Sequence, residues 1–272
     1  MTDPEARLGA IATELERVTA RLERAHDSRC VFTYAYAIMT RRIAADLRGQ
    51  QAADADWIAS LAEAFSKRYF AAIEAYDRGE LVEGAWLTIF DALRNRRTSA
   101  LEDLVFAMTG HIVHDLPLAL GDVGPVPEQI FDFQQVNEMM KGTIEVVERE
   151  VARRYSPFLH WLDRLAEGYD QIVTDYGIRM SRGLAWYNAL RLADPRARDD
   201  ARASIEHSPG LVVANVLDPP KVSVRILFRL LRLLVRLGRR WPRDDPGVAA
   251  ARAASRAGSA DRSPRRGRRR RG

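Results

Sequence analysis

Cysteine is almost missing from this chain. Cys30 stands alone among 272 residues, so no internal disulfide can hold the fold and nothing in it demands an oxidising compartment. The start, Met1-Thr2-Asp3-Pro4-Glu5, lacks the basic and then apolar regions of a secretory signal, and the expectation is a cytoplasmic protein. Catalytic signatures are lacking as well. There is no Gly-x-Ser-x-Gly elbow, phosphate-binding glycine loop or dinucleotide fingerprint, so hydrolase, nucleotide and nicotinamide chemistry find no support. No alternating strand pattern stands out and no repeat recurs at a fixed period, which argues against β architectures and solenoids.

What is present fits a packed helical protein. Hydrophobic residues make up 47% and charged residues 29%, near globular averages, which excludes a wholly disordered chain and a multi-span membrane protein. The net charge of +5 conceals a division: residues 1–220 hold 25 Lys and Arg against 34 Asp and Glu, whereas residues 221–272 hold 17 against 3. The first part is therefore at −9 and the second at +14. Attraction to nucleic acid or anionic lipid belongs to the tail.

Apolar residues recur at three- and four-residue steps through Leu8, Ile11, Leu15, Val18 and Leu22, after a Pro4 suited to a first helical turn. A second helix spans about Cys30 to Leu47, with Val31, Tyr34, Ile38, Ile43 and Leu47 on one side, and Gly49-Gln50-Gln51 breaks it. Asp54 or Asp56 caps a third helix that Gly79 closes. A shorter helix follows from about Glu83 to Arg94, and Thr98 or Ser99 opens the next. Pro117 and the stretch 121–127 are expected to stop that helix and form a loop able to cover a site. Asp132, with Gln135 three residues on, resembles a capping box that begins a helix through Val151. Pro157 begins another helix, and Gly177 separates it from a last segment with Ile178, Trp186 and Tyr187. The run Leu211-Val212-Val213-Ala214 reads as a strand or an extended linker. The expected architecture is all-α: a single bundle domain over residues 3–217.

Two of the five histidines lie in one apolar helical run, Gly110-His111-Ile112-Val113-His114-Asp115-Leu116. At helical pitch His111, His114 and Asp115 project from nearly one face, which permits metal ligation, acid/base work or a plain polar network. Imidazole and carboxylate suit a divalent metal, with His111 and Asp115 as candidate ligands, but further ligands are missing from the local sequence. The zinc pattern needs histidines four apart around a glutamate, and a di-iron bundle needs paired Glu-x-x-His; neither occurs. Arg97, Arg179 and Arg182, beside Trp186, sit in apolar settings where a guanidinium must find acceptors. They could pair with Asp115 or Asp132, or grip an anionic ligand. His26 and His207 read as loop or helix-end residues, His160 as an interfacial one, and Cys30 as core.

After Asp218-Pro219-Pro220, arginines at 225, 229, 232 and 236 form one stripe of a helix over 221–241 whose remainder is apolar. Arginines interrupt every apolar run, which disfavours a spanning helix and favours lying in an interface, with Trp241 at headgroup level. Arg225, Arg229, Arg232, Arg236 and Trp241 are thus candidate membrane contacts at the inner membrane face; docking on the domain's own acidic surface or in a dimer is the alternative. Residues 242–272 are Ala-, Gly-, Ser- and Arg-rich, and are expected to be disordered. Arginines without interleaved aromatics allow nonspecific contact with nucleic-acid phosphates but no base reading.

Trp86…Phe90, Arg97, His111 through Leu116, Asp132-Phe133…Val136-Asn137 and Ile178-Arg179…Arg182…Trp186 together resemble an actinobacterial all-helical family of unknown function that carries a His-Ile-Asn-x-Asp-Leu-like motif. The resemblance covers roughly residues 30–195. Val113 replaces the asparagine, and His114 follows it. The resemblance implies a helical fold and a shared central site without naming chemistry. The leading expectation is a domain that binds a small or lipid-like ligand beside His111, His114, Asp115, Arg97, Asp132, Arg179, Arg182 and Trp186. The alternatives are a metal-dependent oxidoreductase or hydrolase, and a structural protein with a filled core.

Overall fold

The helix signals in the sequence are local, and most of them act where they stand. In the computed structural model, which describes residues 3–49, 54–84, 86–95, 98–124, 127–155, 170–218, 220–221 and 225–226, the chain forms nine α-helices and, among these residues, no strand. They are α1 (Pro4–Arg24), α2 (Cys30–Gly49), α3 (Ala55–Arg78), α4 (Trp86–Arg94), α5 (Ala100–Thr109), α6 (Leu116–Val123), α7 (Ile130–Tyr155), α8 (Asp170–Ala193) and α9 (Arg198–Leu217). The apolar stripe of α1 buries Leu8, Ile11, Leu15, Val18 and Leu22 along α2. Asp54 caps α3 by accepting from Trp57 N at 2.8 Å, and Gly79 closes it at φ +68°. Ser99 and Glu102 form a reciprocal capping box on α5.

Buried and partly buried ion pairs tie the helix ends together. Arg29 reaches Asp27 at 2.7 Å and Asp77 at 2.6 Å, fastening the α1–α2 turn to the end of α3. Glu23 on α1 accepts from Arg154 at 2.7 Å and from the Tyr155 hydroxyl at 2.6 Å, fastening α1 to the end of α7. A core of Trp57, Leu61, Leu120, Phe133 and Trp186 joins α3, α6, α7 and α8.

Five expectations are corrected. Pro117 does not stop its helix: α5, a π-helical turn (Gly110–Asp115) and α6 run on end to end. A proline clashes with the carbonyl four residues back and offers no N–H, and the wider turn just before Pro117 absorbs both defects. Asp132 is not a cap, because α7 already starts at Ile130; its carboxylate accepts instead from the backbone N of Asp54 at 3.2 Å, bracing the start of α3. Gly177 lies within α8 rather than between helices. Residues 211–214 are helical, as part of α9, and His207 is mid-helix. Only Val213 of that aliphatic run is buried, while Leu211 is 63% exposed, so the run follows a helical face and not a sheet. The helix expected after Pro157 begins outside the described residues, as do His160 and the whole of 227–272. Ala100–Val123 is long and apolar enough to cross a membrane, yet most of it is buried inside the bundle, as befits a core helix.

Candidate functional site

The π turn decides how the histidine motif is displayed. Its Leu116 N–H bonds to the His111 carbonyl five residues back, one residue more than an α turn contains. The side chains of His111, His114 and Asp115 are all buried and meet each other directly. Asp115 accepts from His111 Nδ1 at 2.9 Å and from His114 Nδ1 at 2.8 Å. The Trp86 indole Nε1, from the first residue of α4, donates to both carboxylate oxygens at 3.0 and 3.2 Å. Burial alone would raise the Asp115 pKa, but hydrogen bonds from His111 and His114 outweigh it and hold the carboxyl below its usual range. Burial pushes the His111 imidazole pKa down against the opposing pull of Asp115. The resulting state is an ionised carboxylate with a neutral His111. An ionised carboxylate only accepts, so each Nδ1 carries a proton, and His111 Nε2 is left with a lone pair. That atom is buried and has no partner.

Gly84 makes room for the array. It stands at φ +56°, and a Cβ there would sit 2.3 Å from His114 Nε2. Both backbone angle and space therefore require glycine. On the other side, His111 lies flat on Phe65, ring centres 3.5 Å apart, and is edged by Tyr36 at 4.7 Å and Phe32 at 5.5 Å.

His111 also lines an apolar cavity of about 150 Å³ between the helices. Phe32, Tyr36 and Met39 of α2, Ile58 and Phe65 of α3, Met108 of α5, Met140 and Ile144 of α7, and Ile178 and Arg182 of α8 contribute to its wall. Arg182 is 5% exposed. Its Nε donates to Asn137 Oδ1 and its guanidinium lies 4.4 Å from the centre of the Phe133 ring. Among the described residues no carboxylate forms an ion pair with it, and burial pulls its pKa down to about 10. His114, Asp115 and Trp86 line a second, more polar cleft of about 800 Å³, together with Glu63, Lys67, Arg68 and Asp122. The carboxylate of Asp115 thus bridges a histidine on the apolar cavity and a histidine on the polar cleft.

The remaining sequence candidates are dispersed. Trp186 packs in the core against Trp57 and Phe133 and lines neither space. Asp132 is committed to Asp54. Arg179 pairs with Glu138 at 3.1 Å, and neither it nor Arg182 reaches Asp115 or Asp132. Arg97 lies outside the described residues, as do Arg229, Arg232, Arg236 and Trp241, while Arg225 pairs with Asp218 at 2.8 Å. Among the described residues no three His, Cys, Asp or Glu side chains are grouped to hold a metal ion, so His111 and Asp115 have no third ligand there. The filled core expected of a purely structural protein is interrupted by the cavity. Sequence reasoning passed over Tyr36, Phe65 and Gly84. Only Gly84 left a trace, as a glycine just ahead of an apolar helix.

Residues 8–219 match a family of unknown function, DUF5995, and the chain belongs to that family. The match reaches beyond the stretch 30–195 that carried the resemblance. No curated protein and no solved structure matches the chain.

Proposed function

We propose that the helical domain binds a small, largely apolar molecule in the cavity beside His111, and that the basic segment 221–241 carries the protein to an anionic membrane surface. The observation that carries the first half is the cavity: about 150 Å³ left open beside an imidazole fixed in place by Asp115 and Phe65. Protein interiors hold few voids larger than a water molecule. Apolar voids of about 150 Å³ stay dry and accept a benzene-sized molecule. Met39, Met108 and Met140 line this one and can reshape it around a longer body. A metal-dependent reaction has less support, since both Nδ1 atoms are spent on Asp115. The membrane half rests on the arginine stripe at 225, 229, 232 and 236 beside an apolar face.

Thermal unfolding of the whole chain with toluene and with 1-octanol tests the cavity. A guest at a hundred times its Kd stabilises by about 2.7 kcal/mol, which raises the Tm of a domain this size by about 5–10 °C. Met140→Trp fills the space and abolishes the rise. No rise with either guest in the unaltered protein, up to their solubility, overturns the reading.

A further inference from the structure

We propose that the guest in this cavity carries an anionic head, a carboxylate held by Arg182, so that the ligand class is a small apolar monocarboxylate. The inference rests on the cavity reading above and adds a charge to it.

A guanidinium keeps its proton in a protein and offers five N–H donors in a planar fork. Buried without a counter-charge, it is among the most costly groups an interior can hold. Arg182 is in that position. It is 5% exposed, its Nε is satisfied by a neutral amide, and one aromatic face lies beneath it. Its two Nη groups have no acceptor among the described residues. Arg29, buried like Arg182, and the partly exposed Arg154 serve as an internal contrast, for both are met by carboxylates at 2.6–2.9 Å. Arg29 and Arg154 are paired with carboxylates; among the described residues Arg182 is not.

The wall of the cavity is mostly apolar with a few polar groups, as an amphipathic acid would require. Arg182 and Tyr36, whose ring also edges His111 at 4.7 Å, interact electrostatically; Thr40, His111 and Glu148 are the other polar lining groups, and Leu, Ile, Val, Met, Ala and Phe side chains form the rest. Burial raises the Tyr36 pKa, so its hydroxyl stays protonated and is a donor. Arg182 is the only Lys or Arg among the described lining residues, and Glu148 lies on the same wall with a partner of its own. One cation matches one negative charge and not the two of a phosphate monoester. The volume limits the body to roughly six to eight carbons, from the benzene-sized guests that such voids accept.

Isothermal titration of the full chain with octanoate and with 1-octanol tests the head group while holding the body constant. Charge-assisted hydrogen bonds predict that octanoate binds tighter by about 10- to 100-fold. Arg182→Gln brings the two affinities within about threefold, and Arg182→Lys keeps part of the preference. Equal binding of the two by the unaltered protein overturns the carboxylate inference and leaves the cavity reading standing. Binding of neither overturns both. A preference for octanoate that survives Arg182→Gln assigns it to other cations and also overturns the inference. Removal of an unpaired buried charge leaves the fold at least as stable. Should Arg182→Gln nonetheless fail to fold, carboxyl-¹³C octanoate bound to the unaltered protein decides. Its resonance stays at the ionised position well below the pKa of the free acid, and titration alongside the free acid overturns the inference.

Discussion

Asp115→Asn keeps the shape of the central array and removes its charge, which makes it the sharpest test of an ionised Asp115 beside a neutral His111. The carboxylate accepts from His111, His114 and Trp86 at 2.8–3.2 Å. An asparagine has one oxygen. Turned toward His114 and Trp86, it keeps two donors satisfied but presents its NH₂ to His111 Nδ1. The imidazole must then change tautomer, placing a proton on Nε2, which is buried and has no acceptor. The two surviving bonds lose their charge assistance, about 1 kcal/mol each, and the orphaned donor costs a further 1–3 kcal/mol. Relief of a buried charge offsets part of this. The expected net loss is about 3 kcal/mol at pH 7, a urea midpoint lower by roughly 1 M for a slope of about 3 kcal/mol/M. The gap depends on pH in a definite sense. Because the folded pKa of Asp115 is depressed, its contribution is complete above the unfolded value of about 3.9 and is lost as pH falls through the folded one. His111 acts in the same sense higher up, since its folded pKa is also lowered. The unfolded imidazole takes a proton near pH 6.5 that the folded one refuses, so stability declines as pH falls below that point. Urea titrations at pH 7, 5 and 4, with ¹⁵N-histidine spectra to read the tautomer, provide the assay. An Asp115→Asn protein as stable as the parent at pH 7, with His111 still protonated on Nδ1, would refute the ionised three-donor arrangement.

Gly84→Ala should cost at least 2 kcal/mol, from a positive φ and a Cβ placed 2.3 Å from His114 Nε2; a midpoint within 0.5 kcal/mol of the parent contradicts the packing. Removal of residues 221–272 takes away 17 basic residues against 3 acidic. The shortened chain should stop sedimenting with vesicles rich in phosphatidylserine, whereas the full chain sediments at low salt and less at high salt. Equal sedimentation of the two removes the tail from the proposal.

The parts of the fold that were legible in the sequence are those whose partners are close along the chain. The α1 stripe, the Asp54 cap, the Ser99–Glu102 box and the Gly79 stop each depend on a few neighbouring residues. The histidine motif was legible as a buried polar cluster, but its geometry was not. Spacings of three and four are shared by α and π turns until the hydrogen bonds are seen, and Pro117, read as a stop, was the clue to the wider turn. Asp132 looked like a cap because Gln135 stood where a capping box needs it; its true partner is 78 residues away. The aliphatic run 211–214 misled because β-branched residues favour strands, while burial of Val213 alone placed it on a helix. Tyr36 and Phe65 were invisible as site residues because nothing in a helical stripe says which of its aromatics borders empty space.

Several departures from local rules meet at one place in this protein. A π turn, a glycine at φ +56° pressed against an imidazole, an ionised carboxylate with no cationic partner, an unpaired Nε2, an unpaired guanidinium and a void of about 150 Å³ all lie around His111 and its neighbours. Each costs stability that a leucine-filled α-helical core would have kept. By contrast, Arg29 is matched by Asp27 and Asp77, and Glu23 by Arg154 and Tyr155. A sequence able to satisfy those charges could have satisfied Arg182 with one carboxylate in place of Asn137. Its failure to do so beside an apolar space is explained if the missing acceptor arrives with a ligand, and protein folds tolerate such local conflicts chiefly where function requires them.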